Sequence, residues 1–123
     1  MPSPGAAIQL VLRLESVALA LAGLAAFVWT GGQWWLFLLL LLVPDVSALG
    51  YVAGPRVGAV TYNLAHNLVL PLAMLGLGAW SDVTWLLLAG GVLLAHVGMD
   101  RALGYGMKLP SGFKDTHLGR IGR

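Results

Sequence analysis

The fold class of this chain is decided by residues 34–51, which read WWLFLLLLLVPDVSALGY. Every position from 34 to 43 is apolar, and Pro44 and Asp45 follow directly. A transmembrane helix needs about 20 mainly apolar residues. Because lipid offers no hydrogen-bond partner to an open backbone, such a segment crosses a membrane as a helix or as part of a closed barrel. We therefore predict a membrane-spanning helix here.

The composition of the whole chain supports the membrane class. Of its 123 residues, 59% are apolar and only 10% are charged, and the mean hydropathy is +0.84. About a quarter of the residues of a soluble domain are charged, so this composition excludes a soluble or disordered chain. The net charge of +2 is too small to indicate a nucleic-acid partner, and the lack of cysteine excludes disulfides and thiolate metal sites.

Three further apolar segments flank residues 34–51 in the sequence. We predict four transmembrane helices, at residues of about 8–29, 34–51, 57–80 and 84–105. The loops between them are short, so neighbouring helices run antiparallel. The predicted fold is all-α: a polytopic membrane protein with an antiparallel four-helix bundle in residues 1–105, followed by a basic tail, residues 106–123. The first segment lacks a preceding basic residue, so we expect it to be retained rather than cleaved as a signal peptide.

Two features predict the orientation in the membrane. Lysine and arginine are absent from the first and third loops but occur in the second loop and in the tail, which places the second loop and both termini in the cytoplasm. All five tryptophans cluster at the first and third loops, where indole rings suit the headgroup region. We therefore predict a multi-pass membrane protein that contacts the lipid bilayer.

The apolar segments also carry ionisable residues, which are costly in lipid and are functional candidates for that reason. At about 1.5 Å per helical residue, Asp45, His66 and His96 lie roughly 12–15 Å inside the cytoplasmic helix ends, and Glu15 lies at a similar depth. His96 and Asp100 are four residues apart, so they share one helix face. We expect these groups to line one chamber in the cytoplasmic half of the bundle.

Two prolines add free backbone acceptors at the same depth. Proline has no N–H, so Pro44 leaves the carbonyl of Leu40 without its helical donor, and Pro71 does the same for the carbonyl of Asn67. Irregular backbone at membrane depth is tolerated where it lines a cavity. A purely structural role for the polar residues stays open as well, because asparagines in membranes often form hydrogen bonds between helices.

Several strings of the sequence together resemble a known family, labelled domain of unknown function 4260, of small bacterial integral membrane proteins. The strings are RLE (13–15), PDVSALGY (44–51), GPRVGA (54–59), YNLAH (62–66), AHVGMDRALGYG (95–106) and GFKDTHLG (112–119). The resemblance covers nearly the whole chain. It implies a membrane protein and no particular activity, and it draws attention to the tail segment 112–119.

The first functional hypothesis is a small membrane enzyme, a metal-dependent hydrolase using zinc, iron or manganese, because imidazoles and carboxylates suit these metals. The predicted metal ligands are His66, His96, Asp100 and His117. The predicted catalytic residues are Glu15, Asp45 and Arg101. The predicted binding residues for a ligand are Arg13, Tyr62, Asn63 and Asn67. For His117 to take part, the tail must fold back as a cap, which the turn residues at 110–112 permit.

Two hypotheses from other classes stay open. Buried carboxylates and histidines also serve proton relays, so the chain could be a proton- or ion-coupled transporter or channel. It could instead be an accessory structural protein whose polar network only specifies helix packing. The glycine-bearing faces would permit a homodimer.

Overall fold

The computed structural model describes residues 4–121, and helices dominate it. The helical elements are α1 (Pro4–Trp29), α2 (Trp34–Leu41), a 3₁₀ helix (Val43–Ala53), α3 (Pro55–Ala65), α4 (Val69–Ser81) and α5 (Thr84–Ala102). Extended structure in the described residues consists of a two-residue pair in the tail, β1 (Asp115–Thr116) and β2 (Gly119–Arg120). The predicted all-α class is confirmed. Residues 1–3 and 122–123, which belong to the predicted domain bounds, lie outside the described residues.

Three helical stretches are long and apolar enough to cross a membrane, namely Gly5–Trp29, Trp34–Ala53 and Pro55–Ser81. Their side chains are largely exposed in the isolated chain, which is typical of helices that face lipid. α5 differs, because it packs against α1, α2 and α4 and is buried from Gly90 to Gly98 at almost every position. The chain is therefore a helical membrane protein with α5 at its centre.

Glycines allow α1 and α5 to touch backbone to backbone. A Cβ atom added to Gly23 would lie 2.4 Å from the carbonyl oxygen of Gly91, and one added to Gly98 would lie 2.6 Å from the backbone nitrogen of Ala20. Such close crossings are typical of small-residue helix interfaces in membranes, where van der Waals contact drives association. These glycines serve packing within the chain, so they offer no free face for a second copy.

The second predicted helix is not one continuous α-helix. α2 ends at Leu41, and the following 3₁₀ helix has its first bond from the N–H of Asp45 to the carbonyl of Leu42, at 3.2 Å. The carbonyl of Leu41 thus loses its α-helical donor, Asp45, and its 3₁₀ donor would be Pro44, which has no N–H. The sequence predicted that the carbonyl of Leu40 would be free. Because the chain changes from α to 3₁₀ winding at this point, the free carbonyl is that of the next residue, Leu41.

The third predicted helix is also broken, between the end of α3 at Ala65 and the start of α4 at Val69. The side chain of Asn67 bridges the break. Its Nδ2 donates to the carbonyls of Asn63 (3.0 Å) and Leu64 (2.8 Å), and its Oδ1 accepts from the N–H of Leu70 (2.8 Å). Three backbone groups at the break are thereby satisfied, as the membrane interior requires.

The tail folds back against the helices. α5 ends in a Schellman turn at Gly104 (φ +93°), in which the N–H of Tyr105 donates to the carbonyl of Asp100 at 2.7 Å. Farther along, Lys108 pairs with Thr116 in an antiparallel bridge. The tail is therefore an ordered hairpin and not a loose end.

We predict that Gly23→Ala destabilises the fold while Gly76→Ala does not. The new methyl group of Gly23→Ala would clash with the backbone of α5, whereas Gly76 has nothing within 4 Å of an added Cβ. The expected loss for Gly23→Ala is about 1–3 kcal/mol in the free energy of unfolding. Unfolding in mixed micelles with increasing sodium dodecyl sulfate measures both variants. Equal stability of the two variants would contradict the close crossing of α1 and α5.

Candidate metal centre

Four polar side chains from three segments of the chain meet beside the two helix breaks. Asp45 lies at the start of the 3₁₀ helix, His66 caps the end of α3, and His96 and Asp100 lie one turn apart on α5. One ligand atom of each residue lies within 4.8 Å of the corresponding atoms of the other three. The helix breaks thus bring the group together, because they turn Asp45 and His66 towards the central helix.

The distances within the group are short. The two imidazole Nε2 atoms, of His66 and His96, lie 3.1 Å apart. Oδ1 of Asp45 lies 3.3 Å from Nε2 of His66 and 3.1 Å from Nε2 of His96. Oδ2 of Asp100 lies 3.6 Å and 3.3 Å from the same two atoms.

Backbone carbonyls determine which imidazole nitrogen carries hydrogen. Nδ1 of His66 lies 2.9 Å from the carbonyl oxygen of Tyr62, and Nδ1 of His96 lies 2.5 Å from that of Leu41. A carbonyl oxygen can only accept, so both Nδ1 atoms donate, and in the neutral rings both Nε2 atoms carry lone pairs. The acceptor of His96 is the carbonyl that the 3₁₀ turn leaves free.

The four inner atoms are therefore all acceptors, two from neutral imidazoles and two from carboxylates, and a cation or a proton is needed between them. In a tetrahedral site with bonds of about 2.0–2.1 Å, ligand atoms lie about 3.3–3.4 Å apart. The five distances given above, 3.1 to 3.6 Å, surround this value. Imidazoles oriented by backbone carbonyls through the outer nitrogen are also typical of metal sites. The residues fit a divalent transition metal.

The group is closed on one side and open on the other. The side chains of His66 and His96 are each 3% exposed and that of Asp100 is 14% exposed, whereas that of Asp45 is 54% exposed. His66, His96 and Asp100 thus form the buried part of the group, and Asp45 lies on its accessible side. Catalytic zinc sites have this pattern of three protein ligands with an open position.

Two further residues, Tyr62 and Arg101, contact the buried part of the group. The ring of Tyr62 stacks on that of His66 with centroids 3.7 Å apart, and the Tyr62 hydroxyl donates to Oδ2 of Asp100 at 3.4 Å. Nη2 of Arg101 donates to the carbonyl of His66 at 3.4 Å. Ligand orientation therefore depends on the surrounding shell as well as on the helices.

The comparisons with known proteins identify the family. The model of the family described as domain of unknown function (DUF4260) matches residues 9–121. The chain belongs to the DUF4260 family. Neither the curated proteins nor the solved structures contain a significant match to it. The family assignment agrees with the resemblance in the sequence and assigns no reaction, so the chemistry of this DUF4260 chain has to come from the site itself.

The predicted ligand-binding asparagines of this DUF4260 chain contact backbone instead. Asn63 pairs with the backbone of Lys108 through two bonds, one from its Nδ2 to the carbonyl at 2.8 Å and one from the N–H to its Oδ1 at 2.6 Å. Asn67 bridges the break between α3 and α4, as described above. Both amides therefore link segments of the backbone, and their ligand-binding role stays a prediction.

Three other predicted site residues lie away from the four-residue group. Nδ1 of His117 accepts from the N–H of Met107 at 2.8 Å, so this ring belongs to the tail hairpin. The guanidinium of Arg13 packs against Gly104 at the end of α5. Glu15 is exposed on α1 and forms neither a hydrogen bond nor an ion pair within residues 4–121. The side chains of Arg13 and Glu15 lie on the exposed face of α1, which separates them from the buried four-residue group.

Sequence reasoning missed one charged residue near the centre, Lys108. It is 3% exposed, and its Nζ lies 4.7 Å from the ring centroid of Tyr62 and 3.9 Å from that of Phe113. Burial lowers the pKa of Lys108, and the negative charge of Asp100 opposes this shift. The sequence signal was the single lysine in the string YGMKLP, which resembled ordinary tail charge.

We predict that the tail hairpin weakens as the pH falls below about 6.5. Burial, with Arg101 nearby, lowers the pKa of His117 below its ordinary 6.5 in the folded protein. The unfolded tail then binds more protons than the folded tail in this range, so folding becomes less favourable. Hydrogen–deuterium exchange of the tail, corrected for the intrinsic effect of pH, measures this. Unchanged protection between pH 7.5 and pH 5 in wild type, or the same loss in His117→Asn, would refute it.

Proposed function

We propose that this chain holds a divalent transition metal within the membrane and uses it for hydrolysis. The observation that carries the proposal is the convergence of His66 and His96, whose Nε2 atoms lie 3.1 Å apart beside two carboxylates. Without a cation or a shared proton between them, these acceptors would repel each other. Zinc, iron and manganese all accept such a ligand set.

The division of roles follows from exposure. We assign the metal to His66, His96 and Asp100, which are the buried groups, and the role of general base to Asp45, which is accessible. A bound metal would act as a Lewis acid and lower the pKa of a water molecule. Asp45 would then accept the proton of that water, and Arg101 would neutralise an anionic group of the substrate.

The position in the cell belongs to the same proposal. The tail and the second loop carry the basic residues, so we propose the bacterial inner membrane with both termini in the cytoplasm. The centre then lies near the cytoplasmic surface and is reached from that side. Lipid is the proposed partner, and a homodimer would need faces other than the α1–α5 crossing.

Cation transport is the second candidate, and the two helix breaks favour it. Transporters often coordinate ions where discontinuous helices meet near the middle of the membrane. In this chain, however, residues 36–43 and 68–77 are almost purely apolar, so these two stretches offer no polar path from the centre to the opposite face. Hydrolysis therefore ranks above transport.

The first test is metal binding. We predict one zinc ion per purified chain after zinc loading, and a loss in His66→Ala and His96→Ala that exceeds the roughly 10–100-fold effect of removing an outer-shell partner. Elemental mass spectrometry and competition with a chelating dye measure these. His117→Ala is the matched control and retains wild-type affinity. Absence of stoichiometric metal from wild type would overturn the proposal.

The second test separates hydrolysis from transport. We predict that Asp45→Asn still binds zinc but loses about 10²–10⁴-fold in the rate of para-nitrophenyl ester or phosphate hydrolysis, because the amide cannot act as a base. The same variants are placed in liposomes loaded with a zinc-sensitive dye. Zinc or proton flux that Asp45→Asn abolishes, with no hydrolysis by wild type, would favour the transporter instead.

A further inference from the structure

An apolar groove lies directly beside the proposed centre. It has a volume of about 250 Å³ and is formed by the break after α2, by α4 and by α5. At its near end are Pro44, which precedes Asp45, and Leu70, one turn after His66. The groove and the centre are therefore continuous along the chain, because the same helix breaks form both.

The groove runs away from the tail. Val92 lies one turn before His96 on α5, and Ala89 lies about one turn farther in the same direction. His96 is roughly 9 Å from the tail-side end of α5 and roughly 18 Å from the other end, at 1.5 Å per residue. The polar centre thus lies close to one membrane surface, and the groove extends from it towards the bilayer interior.

The polar centre and the apolar groove are arranged like the headgroup and the acyl chain of a membrane lipid. A lipid in the leaflet on the tail side has its headgroup at the surface and its acyl chain towards the interior, as the centre and the groove are arranged. The wall of the groove carries apolar side chains such as Met74 and Leu93, which suit a hydrocarbon chain. Asp45, whose side chain is 54% exposed, directly follows Pro44 of the groove wall.

Charge defines the headgroup. The centre contains two carboxylates, Asp45 and Asp100, and the cations nearest to it among the described residues are Arg101 and Lys108. These charges balance, so a bound divalent metal leaves a local excess of two positive charges. Such an excess favours an anionic headgroup over a neutral or cationic one.

We infer that the centre and its groove together bind a single-chain anionic amphiphile, with a phosphate or carboxylate headgroup at the metal and the acyl chain between α2, α4 and α5. The inference rests on the proposed function, because the bound metal supplies the positive charge for the headgroup. The groove supplies the preference for a ligand with an acyl chain. It names a lipid ester as the preferred substrate class of the proposed hydrolase.

The test uses dodecyl phosphate as the probe. The zinc-loaded chain in neutral detergent is titrated with dodecyl phosphate or with inorganic phosphate, and binding is followed by native mass spectrometry. We expect dodecyl phosphate to bind at least tenfold more tightly. Ala89→Phe, which fills the groove, is expected to lose this advantage, whereas Ala73→Phe, on the exposed face of α4, is expected to keep it. Equal binding of the two phosphates by wild type would overturn the inference.

A second measurement needs no variant. Dodecyl phosphate with a photoreactive diazirine at the chain end is crosslinked to the wild-type chain and the labelled peptide is sequenced. Label on Met74, Ala89 or Leu93 supports the inference, and label spread over other helix faces refutes it. Zinc content is measured on the same samples. If wild type binds zinc but does not prefer dodecyl phosphate over inorganic phosphate, the lipid inference alone is wrong. If wild type binds no zinc, the proposed metal centre is wrong.

Discussion

The hydrogen bond from Nδ1 of His96 to the carbonyl of Leu41 is the interaction on which the polar interior depends. It exists because Pro44 and the 3₁₀ turn leave that carbonyl without a backbone donor. It ties the central helix to the break in the second span, and it directs the lone pair of Nε2 at His66. Pro44 therefore frees a carbonyl, and the hydrogen bond from His96 both satisfies that carbonyl and orients the imidazole.

The polar residues of the interior also depend on the close crossing of α1 and α5. Backbone contact at Gly23 and Gly98 brings the two helices close enough to remove α5 from lipid. Only a helix shielded in this way can carry His96 and Asp100 at little cost, because an ionisable group facing hydrocarbon is strongly unfavourable. The packing of small residues and the placement of polar residues are thus parts of one arrangement.

Much of this structure could be predicted from sequence, for reasons that differ between its parts. Long apolar runs indicate the helices, and depth along each run groups Asp45, His66 and His96. The helix breaks were not predicted, because a proline alone does not say whether a helix bends or changes its winding. The places of Lys108 and His117 depend on a hairpin held by side chains distant in sequence, which apolar patterning does not describe.

The central position of α5 has a consequence for biosynthesis. Its ionisable residues, His96, Asp100 and Arg101, oppose insertion into lipid, because such groups are costly there. α5 follows α1 and α4 in the chain, so both helices are synthesised before it emerges. The earlier helices therefore act as an internal template for α5, and a chain that lost α1 would leave α5 without a surface to join.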